Sequence, residues 1–362
     1  MITNDTYNIL SYRQDVLTPF FSHVRSGESC FIVGAPSVGK TRLMDFLMGD
    51  FIDEEKTVDA QKIKEQYLNP ELAKRVWFVR VDMNRLSLET DWTFGFFELL
   101  LSALLATSVR QRAQESILQE LGDLDSECIE SKDALKAHRF FEMAVSKLCH
   151  IYSIKICMLF DEFDETYKSM PASAFSQLRA VRDANKYNLF YALFLRNLPD
   201  KIRSPKQNES FYELLSRNMV GLGPYNKLDS IHIIQQMEKR REHPLLSEQR
   251  QWIYQLSGGH PGLIQALFSI LKENLGTSAN IANLEWVAKQ EIVFEEFRKI
   301  WNGLLDEEKE SLHTISTATA EKLAPNIEKL LKAKGLVKEP SLFFSPLLGH
   351  CLPLLYTHTP EY

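Results

Sequence analysis

The residues Gly34, Ala35, Pro36, Ser37, Val38, Gly39, Lys40 and Thr41 fill the pattern GxxxxGK[ST] at every defined position. Glycines at those two places let backbone N–H groups turn inward around phosphate oxygens, and a helix beginning at Lys40 adds the positive end of its dipole. Lys40 is placed to reach β- and γ-phosphate oxygens, and Thr41 to offer its hydroxyl to Mg²⁺. The bland alternative is a glycine turn beside a surface lysine. It is disfavoured because the match sits between an apolar run and a helical pattern, where the chemistry needs it.

A phosphate loop of this kind requires an acid on a neighbouring strand, and the apolar run 156–160 ends in Asp161 and Glu162. Asp161 reads as the metal residue, together with Thr41. Glu162 is placed to polarise a water for attack on the γ-phosphate, which would make a nucleotide binder into a hydrolase. Asp164 and Glu165 extend the acidic cluster and read as a solvated loop end. The next apolar run, 190–195, delivers Arg196 and Asn197 to the same sheet edge. Arg196 reads equally as a sensor of the γ-phosphate or as half of a surface ion pair. Lys40, Glu162 and Arg196 are thus the catalytic candidates. A third signal, Gly258-Gly259-His260-Pro261, places two glycines before a helix with proline in its first turn, which by itself is a helix connection.

The elements that must position these groups follow from periodicity. Strand, loop and helix are predicted around 28–51, a strand over Arg75–Met83, a helix over Asp91–Arg110, a strand over 154–160, a helix over 172–187 and a strand over 188–195. Alternation of this type predicts an α/β fold, a parallel sheet sandwiched by helices. Residues 111–136 predict a surface helix interrupted by a loop through 122–127, and 137–152 a further helix. After Pro199 the pattern predicts helices only, at 209–219, 227–240, 247–256, 261–275 and 283–303. Short helices, a glycine turn and a brief strand near 342–346 then predict a winged-helix-like ending. The expected division is 1–205 for the nucleotide-binding domain, 206–298 for a helical lid and 299–362 for the winged-helix-like domain.

Composition narrows the class. The 362 residues are 44% apolar and 25% charged, the profile of a globular protein, and the length predicts two or three domains. A formal net charge of −6 argues against a uniformly basic nucleic-acid coat. The five cysteines, Cys30, Cys128, Cys149, Cys157 and Cys351, show no zinc or redox spacing and read as buried thiols. No leader is visible at the N-terminus, and the apolar stretch 94–107 reads as too short for a membrane span, so a cytoplasmic location is the expectation.

With these motifs in this order, the chain resembles STAND-type NTPases, a signal-transduction branch similar to AAA+ proteins of the origin-recognition kind. The resemblance covers nearly the whole chain and rests on Arg13 in the segment 11–17, the loop 34–41, the strand end 159–164, the segment 178–183, Arg196 and the loop 258–265. It implies ATP and Mg²⁺ as ligands, contact of Arg13 with the adenine, Arg196 as a strand-end sensor, and packing of Pro261 on the base. It further implies a slowly hydrolysing regulatory switch with a protein partner or self-assembly, in which the winged helix helps hold the ADP-bound form. The alternative is a DNA-binding AAA+ loader gripping duplex through the winged helix, with basic clusters at 239–241 and at Lys329, Lys332 and Lys334. Interleaved Glu321, Glu328 and Glu339 make those clusters resemble solvated helix faces.

Overall fold

Four runs of apolar and aromatic residues form the heart of a parallel sheet, because strands buried on both faces need no polar alternation. The computed structural model describes residues 7–49, 52–53, 56–57, 60–86, 92–273, 282–317, 323–339 and 342–357. Its strands are β1 (Cys30–Val33), β2 (Ile52–Asp53), β3 (Lys56–Thr57), β4 (Val76–Asp82), β5 (Lys155–Asp161), β6 (Leu189–Leu195), β7 (Met219–Gly221), β8 (Val337–Glu339) and β9 (Leu342–Phe343). Five of them make one sheet in the order β4-β5-β6-β1-β7, with every pairing parallel. Every residue of β1, β5 and β6 is buried.

Successive side chains go to opposite faces of the sheet. Ile32, Cys157, Leu159, Ala192 and Phe194 therefore join one core, and Phe31, Val33, Met158, Phe160, Leu193 and Leu195 the other. The first core takes in the helices Gln14–Ser26 and Lys40–Met48 and continues into the lid and the C-terminal region. The second is closed by helices Trp92–Arg110, Glu115–Ser131, Ala134–Ser146 and Ala172–Ala184. The expected α/β sandwich is the architecture observed.

Several expectations are corrected. The region after Pro199 is not helical only: the helix there spans Glu209–Tyr212, and Met219–Gly221 enters the sheet as β7 beside β1. Helix Glu115–Ser131 runs unbroken through 122–127, because Ile117, Leu121, Leu124 and Cys128 form a buried stripe facing its neighbours. Residues 137–152 hold the end of Ala134–Ser146 followed by a π-turn at Lys147–Ile151. Arg75 closes a short helix, so β4 begins at Val76. The segment 283–303 divides into Leu284–Ala288 and Glu291–Asn302, while Asp91, residues 274–275 and Glu321 lie outside the described residues.

The 19-residue helix Trp92–Arg110 is long and apolar enough to cross a bilayer, correcting the reading of that stretch as too short, but it is packed in the second core and half buried. All five cysteines are buried and free.

The lid comprises Lys227–Arg240, Ser247–Ser257 and Pro261–Lys272, and beyond it lie Glu291–Asn302, Asp306–Ser316, Pro325–Ala333, the antiparallel pair β8–β9 and Pro346–Thr357. Helices Asp306–Ser316 and Pro325–Ala333, the hairpin and then helix Pro346–Thr357 make the winged-helix-like unit. It packs tightly onto the lid. Gly258 takes a left-handed φ of +58°, and a Cβ there would lie 1.9 Å from the Phe344 carbonyl oxygen, so only glycine fits.

Candidate functional site

The loop after β1 is shaped by two left-handed residues, Ser37 (φ +56°) and Gly39 (φ +97°), and Gly39 is the N-cap of helix Lys40–Met48. Consecutive N–H groups in such a bend form an anion cradle backed by the helix dipole. Lys40 is 6% exposed and donates from Nζ to the carbonyl oxygens of Gly34 (3.0 Å) and Ala35 (3.1 Å). Burial lowers its ammonium pKa to about 8, against the opposing pull of Glu162 and Asp164. An anion in the cradle would favour the charged form and draw Lys40 off those carbonyls.

Parallel register brings Asp161, at the end of β5, beside the first turn of that helix. Thr41 Oγ1 lies 3.4 Å from Asp161 Oδ2, and Asp161 Oδ1 is buried with no partner. Burial raises the Asp161 pKa, opposed by the guanidinium of Arg80, whose Nη2 donates to Oδ2 at 2.8 Å. Among the described residues no cluster of three His, Cys, Asp or Glu side chains could hold a metal unaided. A hydroxyl beside a carboxylate with a spare oxygen does suit Mg²⁺, which keeps its waters and relies on nucleotide phosphates for the remaining ligands.

Glu162 stands in the left-handed region at φ +49°, as the N-cap residue of Phe163–Ser169. A non-glycine residue held there costs on the order of 1 kcal/mol and marks a backbone constrained by its surroundings. Its Oε2 accepts from Arg196 Nη2 at 2.6 Å. Arg196 is in turn fixed through its backbone N–H, which donates to Asp164 at 2.9 and 3.1 Å. Asp164 is therefore not a solvated loop acid: it anchors the end of β6, and burial raises its pKa. A cavity of about 270 Å³ opens beside this pair, lined by Met83, Trp92, Glu162, Glu165, Ser169 and Arg196 among others.

The glycine loop at 258–261 reaches the same place from the lid. His260 is fully buried and its Nε2 lies 3.1 Å from the Pro36 carbonyl oxygen; burial lowers its pKa to about 4, so it is neutral and donates. Pro261 Cγ is 3.6 Å from where a Cβ on Gly39 would stand, and a Cβ on Gly303 would lie 2.4 Å from Pro36 Cγ. Arg13 is fully buried in the left-handed region at φ +52°. Its guanidinium donates to the carbonyl oxygens of Val38, Gly223 and Pro224 and lies 4.2 Å from the ring centroid of Tyr225. Arg13 thus joins the N-terminal segment, the phosphate loop and the chain entering the lid.

Lys40, Thr41, Asp161, Glu162 and Arg196 converge at one sheet edge, while Arg13 and Pro261 meet the loop from its other side. The sequence reading missed Arg80, Tyr225 and the buried pair Lys334–Glu308. A lone arginine inside the apolar run 76–81 was the available signal for Arg80. Lys334, assigned to a basic cluster, is instead fully buried, with Nζ 2.7 Å from Glu308 and 3.0 Å from Asn197 Oδ1. Lys332 pairs with Glu328 at 2.7 Å.

No family model and no curated protein matches the sequence. Among solved structures, a Walker-type ATPase of Pyrococcus abyssi superposes with a TM-score of 0.53 at 13% identity, over 94% of this chain and 95% of that one. The Aeropyrum pernix ORC1 protein in complex with DNA aligns with a TM-score of 0.44 at 13% identity, over 95% and 84%. The ADP form of the Aeropyrum pernix ORC2 protein gives 0.44 at 14%, over 95% and 83%. The chain has the fold of a P-loop ATPase along nearly its whole length.

Proposed function

We propose that this protein binds ATP with Mg²⁺ and hydrolyses it slowly, as a STAND/AAA+-like switch whose nucleotide state sets the arrangement of lid and winged helix and so controls assembly or a partner. The observation that carries this reading is direct contact between lid and phosphate loop. His260 holds the Pro36 carbonyl, and Gly303, just before the winged helix, presses on Pro36. A change of shape in the loop on filling with phosphate has to be felt by both, and differential contact is what a switch requires.

In this scheme the backbone of residues 34–39 cradles the phosphates and Lys40 moves from the Gly34 and Ala35 carbonyls to the β- and γ-oxygens. Thr41 and Asp161 would hold Mg²⁺, which would supply charge neutralisation on the phosphates. Glu162 accepts a proton from the attacking water, but only once Arg196 releases it. The γ-phosphate is the group able to draw Arg196 away, so Glu162 is freed when nucleotide is bound. Pro261 and Arg13 frame the base. The α/β unit extends through β7 to about residue 223, with the lid beginning at Lys227.

The DNA-loader alternative keeps the cluster at 239–241 but loses part of its second one, since Lys334 is buried and Lys332 is paired. Calorimetry with ATP and Mg²⁺ tests the binding: Lys40→Ala is expected to weaken ATP by at least about tenfold, the effect of losing one charge-assisted contact. Phosphate release without any added acceptor, abolished in Glu162→Gln, tests the hydrolysis. Equal ATP affinity in wild type and Lys40→Ala would sink the reading.

A further inference from the structure

Asp164 sits at the same sheet edge, and nothing in the scheme above uses it. It lies in the first turn of helix Phe163–Ser169, two residues after Glu162. Both of its carboxylate oxygens accept from the Arg196 backbone N–H, at 2.9 and 3.1 Å. The Asn197 N–H adds to the pull that keeps it ionised, as do the charges of Lys40 and Arg196, all of them against burial. The carboxylate in turn favours the charged forms of the buried Lys40 and Lys334. One side chain thus grips the backbone just where β6 ends. The two side chains issuing from that gripped turn then diverge: Arg196 Nη2 donates to Glu162 at 2.6 Å, and Asn197 Oδ1 accepts from Lys334 Nζ at 3.0 Å.

Resting on the hydrolysis reading of this site, we infer that Asp164 is a positioning residue: by gripping the Arg196 backbone it aims that guanidinium past Glu162 at the γ-phosphate, and so sets the rate of hydrolysis while ATP affinity hardly depends on it. A long, flexible side chain reaches a fixed point only if its backbone is fixed, and a displacement of about 1 Å at a reacting centre costs on the order of a hundredfold in rate. Affinity responds less, because two effects oppose. Without the Asp164 charge the phosphates meet less repulsion, which favours binding, while Lys40 loses a group that keeps it charged, which disfavours it. Bound ATP then supplies Lys40 with negative charge of its own. Asp164→Asn is the closest replacement in shape. It keeps one acceptor but sets an NH₂ group where the second oxygen stood, facing backbone donors.

Phosphate release by the full chain over a range of ATP concentrations, with Mg²⁺ present, gives kcat and KM. Asp164→Asn is expected to lower kcat by at least about tenfold and to change KM by less than about threefold. In an Arg196→Ala background the same substitution is expected to lower kcat by no more than about a further twofold, because it acts through that arginine. A merely structural role would lower kcat by the same factor in both backgrounds. Unchanged kcat, a KM raised as far as kcat falls, or equal losses in the two backgrounds overturns the inference. If Arg196→Ala leaves no measurable release, the split between kcat and KM decides alone. If Asp164→Asn does not fold, Asp164→Glu, which keeps the charge and both acceptors on a longer arm, enters the same cycle, and equal factors in the two backgrounds overturn the inference. Wild type that releases no phosphate from ATP overturns the hydrolysis reading and this inference with it, whereas release that Asp164→Asn leaves untouched overturns only the role of Asp164.

Discussion

Two ion pairs of almost equal length meet at adjacent residues of the same sheet edge. Arg196 reaches Glu162 at 2.6 Å with side chains 43% and 31% exposed, while Lys334 lies 2.7 Å from Glu308 with both side chains fully buried and touches Asn197 besides. Both join a cation to a glutamate at nearly the same distance, and solvent is the large difference between them. Water screens the first pair and competes for both its partners, so it can open and close at little cost. The second has no water to replace a lost partner, and breaking it strands a charge in the interior. A readily exchanged pair thus sits at the end of β5 beside Asp161, and a fixed one ties the winged-helix-like unit to Asn197, the residue after Arg196.

The largest way to break that contrast is Lys334→Met, which leaves Glu308 buried and unpaired and is expected to cost about 3–5 kcal/mol. Urea denaturation should show the loss, and adding Glu308→Leu should restore much of it, since an apolar pair of similar volume carries no desolvation penalty.

An intermediate effect is expected at His260, a buried polar contact without charge. Its folded-state pKa of about 4 lies below the ordinary value of 6.5, so between those values the unfolded chain binds the proton more readily. Stability from this residue is present above pH 6.5 and declines as pH falls towards 4. Asp161 and Asp164, whose pKa values are raised, act with the opposite sign, so the comparison must be between wild type and His260→Gln. Thermal unfolding from pH 7.5 to 5 should fall more steeply in wild type; parallel curves would contradict a neutral, buried His260.

The smallest effect on stability is expected for Arg196→Ala, within about 1 kcal/mol because the pair is exposed. Its phosphate release should nevertheless fall by at least about tenfold, in line with removal of a charge contact to the transferred group. A variant that is destabilised as much as Lys334→Met would erase the distinction between the two pairs.

Much of the sheet was legible because β1, β6 and β5 between its terminal Lys155 and Asp161 are apolar, as strands covered on both faces have to be. β7 was not. Three residues, Met219–Gly221, are too few to show a period, and their strand state is set by pairing with β1. In helix Glu115–Ser131, Gly122, Asp123 and Asp125 resemble turn residues, but burial of Leu121, Leu124 and Cys128 overrides that local preference. In the site, the residues of the phosphate loop and the pair Asp161–Glu162 were legible because each motif is local. Arg80 meets Asp161 across 81 positions of sequence, and Arg13 meets Gly223 across 210, and no local pattern records either contact.

The sequence by itself determined the phosphate-binding loop, since GxxxxGK[ST] dictates a backbone bend, a helix start and a lysine within a single short segment. It also determined which strand ends carry acid and arginine to the sheet edge. Only the tertiary structure decided which charges are spent on one another. Sheet order and helix packing bring Arg80 to Asp161, Arg196 to Glu162 and Lys334 to Glu308, and burial then makes one pair a fixture and another an exchangeable contact. The physical reason is that a charge's effect depends on the solvent and partners around it, which are properties of the folded chain and not of any one residue.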